Sequence, residues 1–379
     1  MAVPISRRAV IIRLLCLHNG RRCRRGNQGI GIVEAGGLRL EGQVQHNGRT
    51  ILVALAMVLA VALSRPAGQR ADPPGRAERP WTQLRTPWGD PDLQGVWTTD
   101  GNFSIPLERP VEFADKAFLD GKDLEAALAA RARTIAAVEN SAGVGAGPTH
   151  WYETLTARSR RSSLIIDPPN GRLPAMTPAA RRRAADALAG RGGRGPADSW
   201  EDRSLWDRCI SVGLPYVMFP TGYNNNVRIL QTRGYVTITH EMIHDTRIVP
   251  LDGRPHLSPA IRQYMGDSRG RWDGNTLVID VTNFHPGITT FHPTASFRGS
   301  GATLHLIERY TRTGSDQMRY EVTIDDPATF ERPYTAALDL KTQNSIYEYA
   351  CHEGNRGLEN ILGAARAEER AAESARDRR

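Results

Sequence analysis

Residues 234–252, GYVTITHEMIHDTRIVPLD, carry two conflicting signals about fold and chemistry. The segment contains H-E-x-x-H as His240, Glu241 and His244. On an α-helix this spacing places two imidazoles about one turn apart, so that both reach one Zn²⁺. The surrounding residues instead alternate between apolar and polar, many are β-branched, and a glycine and a proline flank them. This pattern predicts a β-strand, in which the two histidines lie about 13 Å apart, too far to share a zinc ion.

The alternation also predicts which way these side chains face. His240 and His244 fall on the apolar face, and Glu241 and Arg247 fall on the opposite, polar face. Two inward histidines are either hydrogen-bonded within the core or part of a ligand pocket. Glu241 and Arg247 are predicted to form a cross-strand ion pair. Alternatively, Arg247 is predicted to contact a ligand. A β-bulge near Glu241 would reverse the facing.

Similar alternation recurs through the C-terminal half, most clearly in residues 277–283 and 317–325. Roughly six to eight such segments with short turns predict antiparallel strands with one face on a core. Helix-forming residues predict helices over 115–140 and 178–188 and in the tail after Leu358. The predicted fold is mainly β with an α-helical N-terminal part, either an antiparallel β-barrel (calycin-like) or a β-sandwich. The remaining strand candidates are residues 95–99, 163–166, 227–232, 235–241, 303–312, 334–340 and 346–351.

The charge of the chain is concentrated in its first part. Residues 1–64 hold nine arginines against two glutamates, or +7 of the total +8, so the remainder carries +1. A near-neutral body gives no reason to expect nucleic acid as a partner. Residues 51–63 form an apolar run that is too short to span a membrane and suits a signal peptide core; a buried helix is the alternative. We therefore expect export to the periplasm or outside, with no membrane association after cleavage.

The predicted domain organisation follows from these features. Residues 1–64 are predicted to be a leader and signal peptide, of which 1–45 are interpreted as an over-extended start, and residues 65–92 are predicted to form a linker rich in proline and glycine. Residues 93–370 are one β-rich domain with helical insertions, and 371–379 are a frayed tail.

Four cysteines divide between the leader and the body. Cys16 and Cys23 lie in the leader, and Cys209 and Cys351 lie in the body. An exported protein meets an oxidising compartment, so the body pair is predicted to form a disulfide; two buried thiols are the alternative. A thiol nucleophile formed by Cys351 and His352 competes with the disulfide, which would abolish it.

Two further clusters are candidate ligand-binding residues. Tyr223, Asn224 and Asn225 precede a strand, where amides either cap the chain or bind a polar ligand. His352 and Glu353 follow Cys351, and the disulfide would bring them near the segment that leads to Tyr223. No cofactor and no metal site are predicted.

Several specific strings resemble a family of exported bacterial proteins for which no activity is established. The strings are WGDPDLQGVW, IPLERP, EDRSLWDRC, GYNNN, HEMIHDTRIVPLDGRPH, MGDSRGRWDGNTLV and YEYACHEGN, and they span about residues 85–370. The resemblance implies export and one compact β-rich body, and it implies no catalytic residue.

Three functions are consistent with the sequence. The first is binding of a small organic ligand, with acid–base chemistry by His240, Glu241, His244 or His352 as an extension, because imidazole titrates near neutral pH. The second is a zinc-dependent hydrolase that uses the HEMIH segment. The third is a non-catalytic carbohydrate-adhering or structural surface protein, for which exposed tryptophans along one groove would be the sign; the candidates are Trp97, Trp151, Trp200 and Trp272.

Overall fold

Ten β-strands account for most of the alternating sequence. In this computed structural model the described residues are 81–139, 159–189, 197–286 and 301–378. The strands are β1 Gly95–Thr98, β2 Ile165–Asp167, β3 Asn226–Thr232, β4 Tyr235–His240, β5 Thr246–Pro250, β6 Asp267–Asp273, β7 Thr276–Thr282, β8 His305–Arg312, β9 Gln317–Asp325 and β10 Tyr334–Gln343.

All the strands belong to one antiparallel sheet. The hydrogen-bonded order is β5-β4-β3-β1-β10-β9-β8-β7-β6, with β2 paired to β10 beside this path. Among the described residues β5 and β6 are its two edges, so the hydrogen-bonded path is not closed. The prediction of a mainly β, antiparallel fold is confirmed.

Two strand predictions differ from the structure. Residues 346–351 form no strand, because the backbone of this segment is held by the Glu241 side chain instead of by a neighbouring strand. Strand β6 was not predicted from the sequence. Its sequence, DSRGRWD, is largely polar and contains a glycine, so it lacks the apolar alternation that marks the other strands.

Three α-helices accompany the sheet in the described residues: α1 Gly121–Glu139, α2 Pro178–Ala189 and α3 Gly357–Arg376. The first two lie between β1 and β3 in sequence, as predicted. Thr177 caps α2, since its hydroxyl accepts a hydrogen bond of 3.0 Å from the Ala180 amide. Within the same residues no helix is long and apolar enough to cross a membrane.

The inner face of the sheet forms the main hydrophobic core. Trp97 on β1 is fully buried and donates its indole N–H to the Leu93 carbonyl at 3.0 Å. Alternate residues of each long strand join it, as the period of two requires. Buried strand residues of this core include Ile229, Val236, Ile238, Leu277, Ile279, Leu306, Tyr310, Tyr320, Val322, Tyr334 and Leu338.

The two edge strands lie in side-chain contact. A Cβ at Gly270 of β6 would stand 2.8 Å from Val249 Cγ1 of β5 and 2.5 Å from Cδ2 of Leu251, the residue that follows β5. Only a residue without a side chain permits this approach. The sheet therefore curls until its first and last strands pack against each other.

Several sequence predictions lie outside the described residues. They are the signal peptide and leader over 1–64, the first part of the linker, Cys16, Cys23 and Trp151.

Replacing Gly270 by alanine should destabilise the protein by about 1–3 kcal/mol, because the added methyl overlaps β5 side chains. Chemical denaturation measures this change in the free energy of unfolding. Gly101→Ala is the matched control, since a Cβ there meets nothing within 4 Å. Equal effects of the two substitutions would contradict the close approach of β5 and β6.

Candidate functional site

The HEMIH segment forms the connection between β4 and β5. β4 ends at His240, and Met242–His244 form a single 3-10 turn in which Ile243 and His244 have left-handed φ angles of 57° and 48°. The chain then reverses and β5 pairs antiparallel with β4. The prediction of one continuous strand through this segment is therefore wrong. The segment is not an α-helix either, so its histidines do not share a helix face.

This turn reverses the facing predicted for β5. His240 is buried at 1% exposure whereas His244 is exposed, so the two histidines do not share an inward face. Arg247 is buried and Ile248 is 64% exposed, opposite to the predicted arrangement. The reason is local: two left-handed residues bend the chain and shift the alternation of the following strand.

His240 points into the core without a hydrogen-bond partner. Neither of its ring nitrogens contacts a polar atom among the described residues. Burial, and secondarily the positive charge of Arg247, lower the pKa of His240 to about 3, so the imidazole is neutral at pH 7. A catalytic role for His240 stays a prediction, which this burial does not support.

Glu241 links strand β3 to the C-terminal segment around Tyr347. Its Oε2 accepts a hydrogen bond of 2.5 Å from the Asn226 amide, and its Oε1 accepts one of 2.9 Å from the Tyr347 backbone N–H. The residue is 1% exposed. One carboxylate oxygen thus bonds to β3 and the other to the C-terminal segment. The predicted ion pair between Glu241 and Arg247 does not form.

Arg247 instead enters a buried polar cluster inside the sheet. Its Nη1 and Nη2 donate to Glu308 Oε2 and Oε1 at 2.5 and 2.8 Å, a bidentate pair. Tyr320 and Tyr310 donate to the same Glu308 Oε1 at 2.9 and 3.2 Å. Burial alone would lower the pKa of Arg247, but the adjacent carboxylate more than offsets it, and the net shift is upward. Sequence gave no sign of this pair, since 61 residues separate its members.

The predicted disulfide between Cys209 and Cys351 is present. It leaves no thiol at Cys351 for a nucleophile. A small apolar cluster surrounds it, which includes Met242 and Ile243 of the HEMIH turn and Tyr223. The bond therefore brings the C-terminal segment close to the Tyr223 loop, as predicted, and the HEMIH turn, which was not predicted there, packs against the same cluster.

The other candidate residues near the disulfide lie at the surface. His244 Nδ1 is 3.2 Å from the Tyr349 carbonyl oxygen. His352 and Glu353 are exposed. The predicted catalytic residues His240, Glu241 and His244 thus occupy three different environments. Within the described ranges no group of three or more His, Cys, Asp or Glu side chains is arranged to hold a metal ion.

Asn225 has a structural role in its loop. Its Nδ2 donates to Asp100 Oδ1 at 2.7 Å and to the Thr221 carbonyl at 2.9 Å, and its Oδ1 accepts from the Thr221 amide at 2.6 Å. Asn224, with a left-handed φ of 54°, borders a small crevice beside Met242. The capping interpretation accounts for Asn225, and ligand binding by Tyr223 and Asn224 stays a prediction.

The tryptophans do not form one exposed groove in the described residues. Trp97 is core, whereas Trp200 is 49% exposed and lies under the Arg208 guanidinium, 4.5 Å from its ring centroid. This arrangement does not favour the carbohydrate-adhering alternative.

A cavity of about 260 Å³ lies beside β10, where sequence reasoning placed no site. β1 pairs only with residues 341–343 of the ten-residue strand β10, and β2 only with Thr335 and Ala336. Asn102 bridges part of the gap with its side chain, donating to the Asp339 carbonyl at 2.8 Å and accepting from the Asp339 amide at 3.1 Å. The lining is Asn102, Phe103, Ser104, Ile105, Leu107, Thr134, Leu164, Tyr216, Phe219, Pro220 and Tyr334.

A row of histidines and aspartates crosses the outer face of β6, β7 and β8. His256 lies 2.9 Å from Asp267 through Nδ1 and 2.9 Å from Asp280 through Nε2. His305 Nε2 lies 3.1 Å from the same Asp280 oxygen. Both contacts of His256 are hydrogen bonds only when both ring nitrogens carry protons. The hydrogen bond with Asp280 raises the pKa of His305 above its ordinary value.

Comparisons with known proteins add little to this geometry. No family model matches the sequence, and no curated protein matches it. The chain is similar to the crystal structure of a secretary abundant heat soluble (SAHS) protein from Ramazzottius varieornatus, at 14% identity and a TM-score of 0.22, over 37% of this chain and 87% of that one. A likeness this weak carries no argument about fold or function. The resemblance to an exported bacterial family stays a prediction.

Arg247→Met should cost about 3–5 kcal/mol of unfolding free energy, because it leaves the Glu308 carboxylate buried without a counter-charge. Adding Glu308→Gln removes that charge, so the double variant should be more stable than Arg247→Met alone. Urea denaturation of both variants tests the order. A double variant less stable than Arg247→Met would show that the charge pair is not the source of the cost.

The histidine row should make stability depend on pH. The pKa of His305 is higher in the folded than in the unfolded state. The protonated imidazole therefore contributes its full stabilisation of the folded protein below the unfolded-state pKa of about 6.5, and this stabilisation is lost as pH rises through the folded-state pKa. The melting temperature of the wild type should exceed that of His305→Gln by more at about pH 5.5 than at about pH 9.

Two other histidines matter for this experiment: His240 as an effect common to both proteins, and His352 as the site of a control substitution. His240, whose pKa is lowered, reduces stability as pH falls, but it does so in wild type and variant alike. His352→Gln is the control for a histidine-to-glutamine substitution at an exposed site. A pH-independent difference for His305→Gln would contradict the role of Asp280.

Proposed function

We propose that the protein binds a small, mainly apolar organic molecule in the cavity beside β10. The observation that carries this proposal is the cavity itself, of about 260 Å³, between the loop 102–107, the segment 216–220 and Tyr334. Ligand sites are typically concave, mostly apolar and lined by a few polar groups. This volume is below the range of roughly 300–1,000 Å³ typical of such sites, so the ligand is small.

The lining favours a flat or aromatic molecule. Rings of Phe103, Phe219, Tyr216 and Tyr334 border the space together with aliphatic side chains. Aromatic faces and edges contribute about 0.5–1.5 kcal/mol per favourable ring pair beyond the burial of area. The proposed ligand therefore carries one or two rings.

One polar group is available to orient the ligand. Ser104 has a left-handed φ of 63°, and its buried Oγ has no hydrogen-bond partner among the described residues. A strained residue with an unsatisfied hydroxyl at a cavity wall is typical of a binding site. The Ser104 hydroxyl would bond a polar substituent of the ligand.

The proposal takes the body as a β-barrel rather than a sandwich. Side-chain contact between β5 and β6, and the Arg247–Glu308 pair that joins β5 to β8, support a curled sheet around one core. Large apolar and aromatic side chains occupy the inner face of the sheet, and the cavity lies at the wall next to β10. The Cys209–Cys351 disulfide supports export to an oxidising compartment.

The proposal is for binding. His240 and Glu241 are buried away from solvent, and none of the predicted catalytic residues lines the cavity. Acid–base chemistry is therefore not part of it.

Filling the cavity should abolish binding of a small aromatic probe. Leu107→Trp places an indole in the space, and titration calorimetry with naphthalenemethanol should show binding to the wild type and at least a tenfold loss in this variant (on the order of 1.4 kcal/mol). The matched control is Leu230→Trp, on the outer face of β3, which should bind as the wild type does. No binding to the wild type, or equal loss in both variants, would refute the site.

A further inference from the structure

Residues 251–266, here called the strap, connect the two edge strands of the sheet. β5 ends at Pro250 and β6 begins at Asp267. Every successive pairing along the sheet from β5 to β6 is antiparallel, and the number of pairings is even, so the two edge strands run in the same direction. The strap must therefore run back from the end of one strand to the start of the other.

The strap makes this crossing without regular structure. It contains no helix and no strand, only an isolated bridge between Gln263 and Phe284. Crossover connections between parallel strands are usually helical, and irregular loops longer than about 12–15 residues are uncommon and often have a function of their own. From Asp252 to Tyr264 every residue is exposed except His256, which is half-buried. The contacts of His256 therefore matter most for holding this stretch on the sheet.

His256 lies between two carboxylates on the outer face of the sheet. Its Nδ1 is 2.9 Å from Asp267 Oδ2 of β6, and its Nε2 is 2.9 Å from Asp280 Oδ1 of β7. An ionised carboxylate oxygen only accepts, so both contacts are attractive only in the imidazolium form, which has an N–H on each nitrogen. In the neutral imidazole one nitrogen presents a lone pair to a carboxylate, and that contact becomes repulsive.

Charged groups of the strap and of four strands meet around His256. Besides Asp267 and Asp280, they are Arg269 of β6, His305 of β8, Asp325 of β9, and Asp252 and Arg254 of the strap. Arg269 donates to the other oxygen of Asp267 at 2.6 Å, and Arg254 is paired with Asp252. Imidazoles are the side chains of this cluster that ordinarily change charge between about pH 5 and pH 8.

Asp280 stays ionised over that range. His305 Nε2 lies 3.1 Å from the same Asp280 oxygen that His256 contacts. The hydrogen bond with His305 lowers the pKa of Asp280, so its carboxylate persists in mild acid. A negative partner for protonated His256 is therefore present at every pH at which imidazole titrates.

We propose that the strap is a pH-dependent conformational switch, which is docked on the outer face of β6 and β7 while His256 is protonated and is released as pH rises. Docking requires the proton on His256. The docked form is therefore fully populated on the acid side and is lost as pH rises through the titration of the imidazole. Release exposes the acidic pair Asp267 and Asp280 and leaves the strand pairings intact, because the strap is not part of the ladders.

Hydrogen exchange of the full chain at about pH 5.5 and about pH 8.5 tests this switch. The protection factor compares the measured exchange rate with the intrinsic rate at the same pH. In peptides that cover residues 255–263, which include the Leu257 amide bonded to Asp267 Oδ2 at 2.9 Å, protection should be at least about tenfold higher at the lower pH, as one charged hydrogen bond provides. Peptides from β8 and β9 should keep their protection at both pH values, which shows that the sheet remains folded.

Two substitutions separate the charge of His256 from its shape. His256→Gln has no charge to lose, so the strap should be weakly protected at both pH values. His256→Arg keeps a protonated, forked donor throughout this range, so the strap should stay protected at both. His352→Gln, at an exposed site outside the strap, should respond to pH as the wild type does.

Three results would overturn the switch. The first is equal protection of the wild-type strap at the two pH values. The second is a pH response of wild-type size in His256→Gln or in His256→Arg, because the proton of His256 would then not be its cause. The third is loss of the response in His352→Gln, which would assign it to a general effect of histidine substitution.

Discussion

The ion pair between Arg247 and Glu308 is the interaction on which the inner face of the sheet depends. It joins an edge strand, β5, to β8 through the centre of the core, with both side chains at 5% exposure or less. The hydroxyls of Tyr310 and Tyr320 donate two further hydrogen bonds to the carboxylate. A charge pair in such a place stabilises little compared with apolar packing, but it tolerates only one arrangement, since either charge alone would be buried without a partner. It thereby fixes the register of β5 against the opposite side of the sheet.

The HEMIH turn makes this pair possible. Without two left-handed residues between β4 and β5, Arg247 would face solvent and Ile248 the core. Glu241 and the Cys209–Cys351 bond hold the turn against the C-terminal segment. Residues that match the H-E-x-x-H motif therefore have structural roles. The strained backbone of the turn is retained because hydrogen bonds and the disulfide surround it.

The cavity at the wall of the sheet, next to the start of β10, is the candidate ligand site. β1 pairs with only the last three residues of β10, and loop 102–107 with its Asn102 bridge borders a space that side chains do not fill. The cavity supports the proposed binding of a small, mainly apolar molecule.

The sequence alone determined the period-two strands, both N-terminal helices and the cysteine pairing, because these depend on local alternation, helix propensity and the chemistry of an oxidising compartment. The sequence could not determine β6, because its largely polar residues lack the apolar alternation of a strand. It also could not determine that the Arg247 side chain faces the core, which follows from the φ angles of two turn residues. The cavity was also beyond it. It arises where the loop 102–107, the segment 216–220 and Tyr334 of β10 meet, and such contacts between distant segments are set by tertiary packing, which no local pattern records.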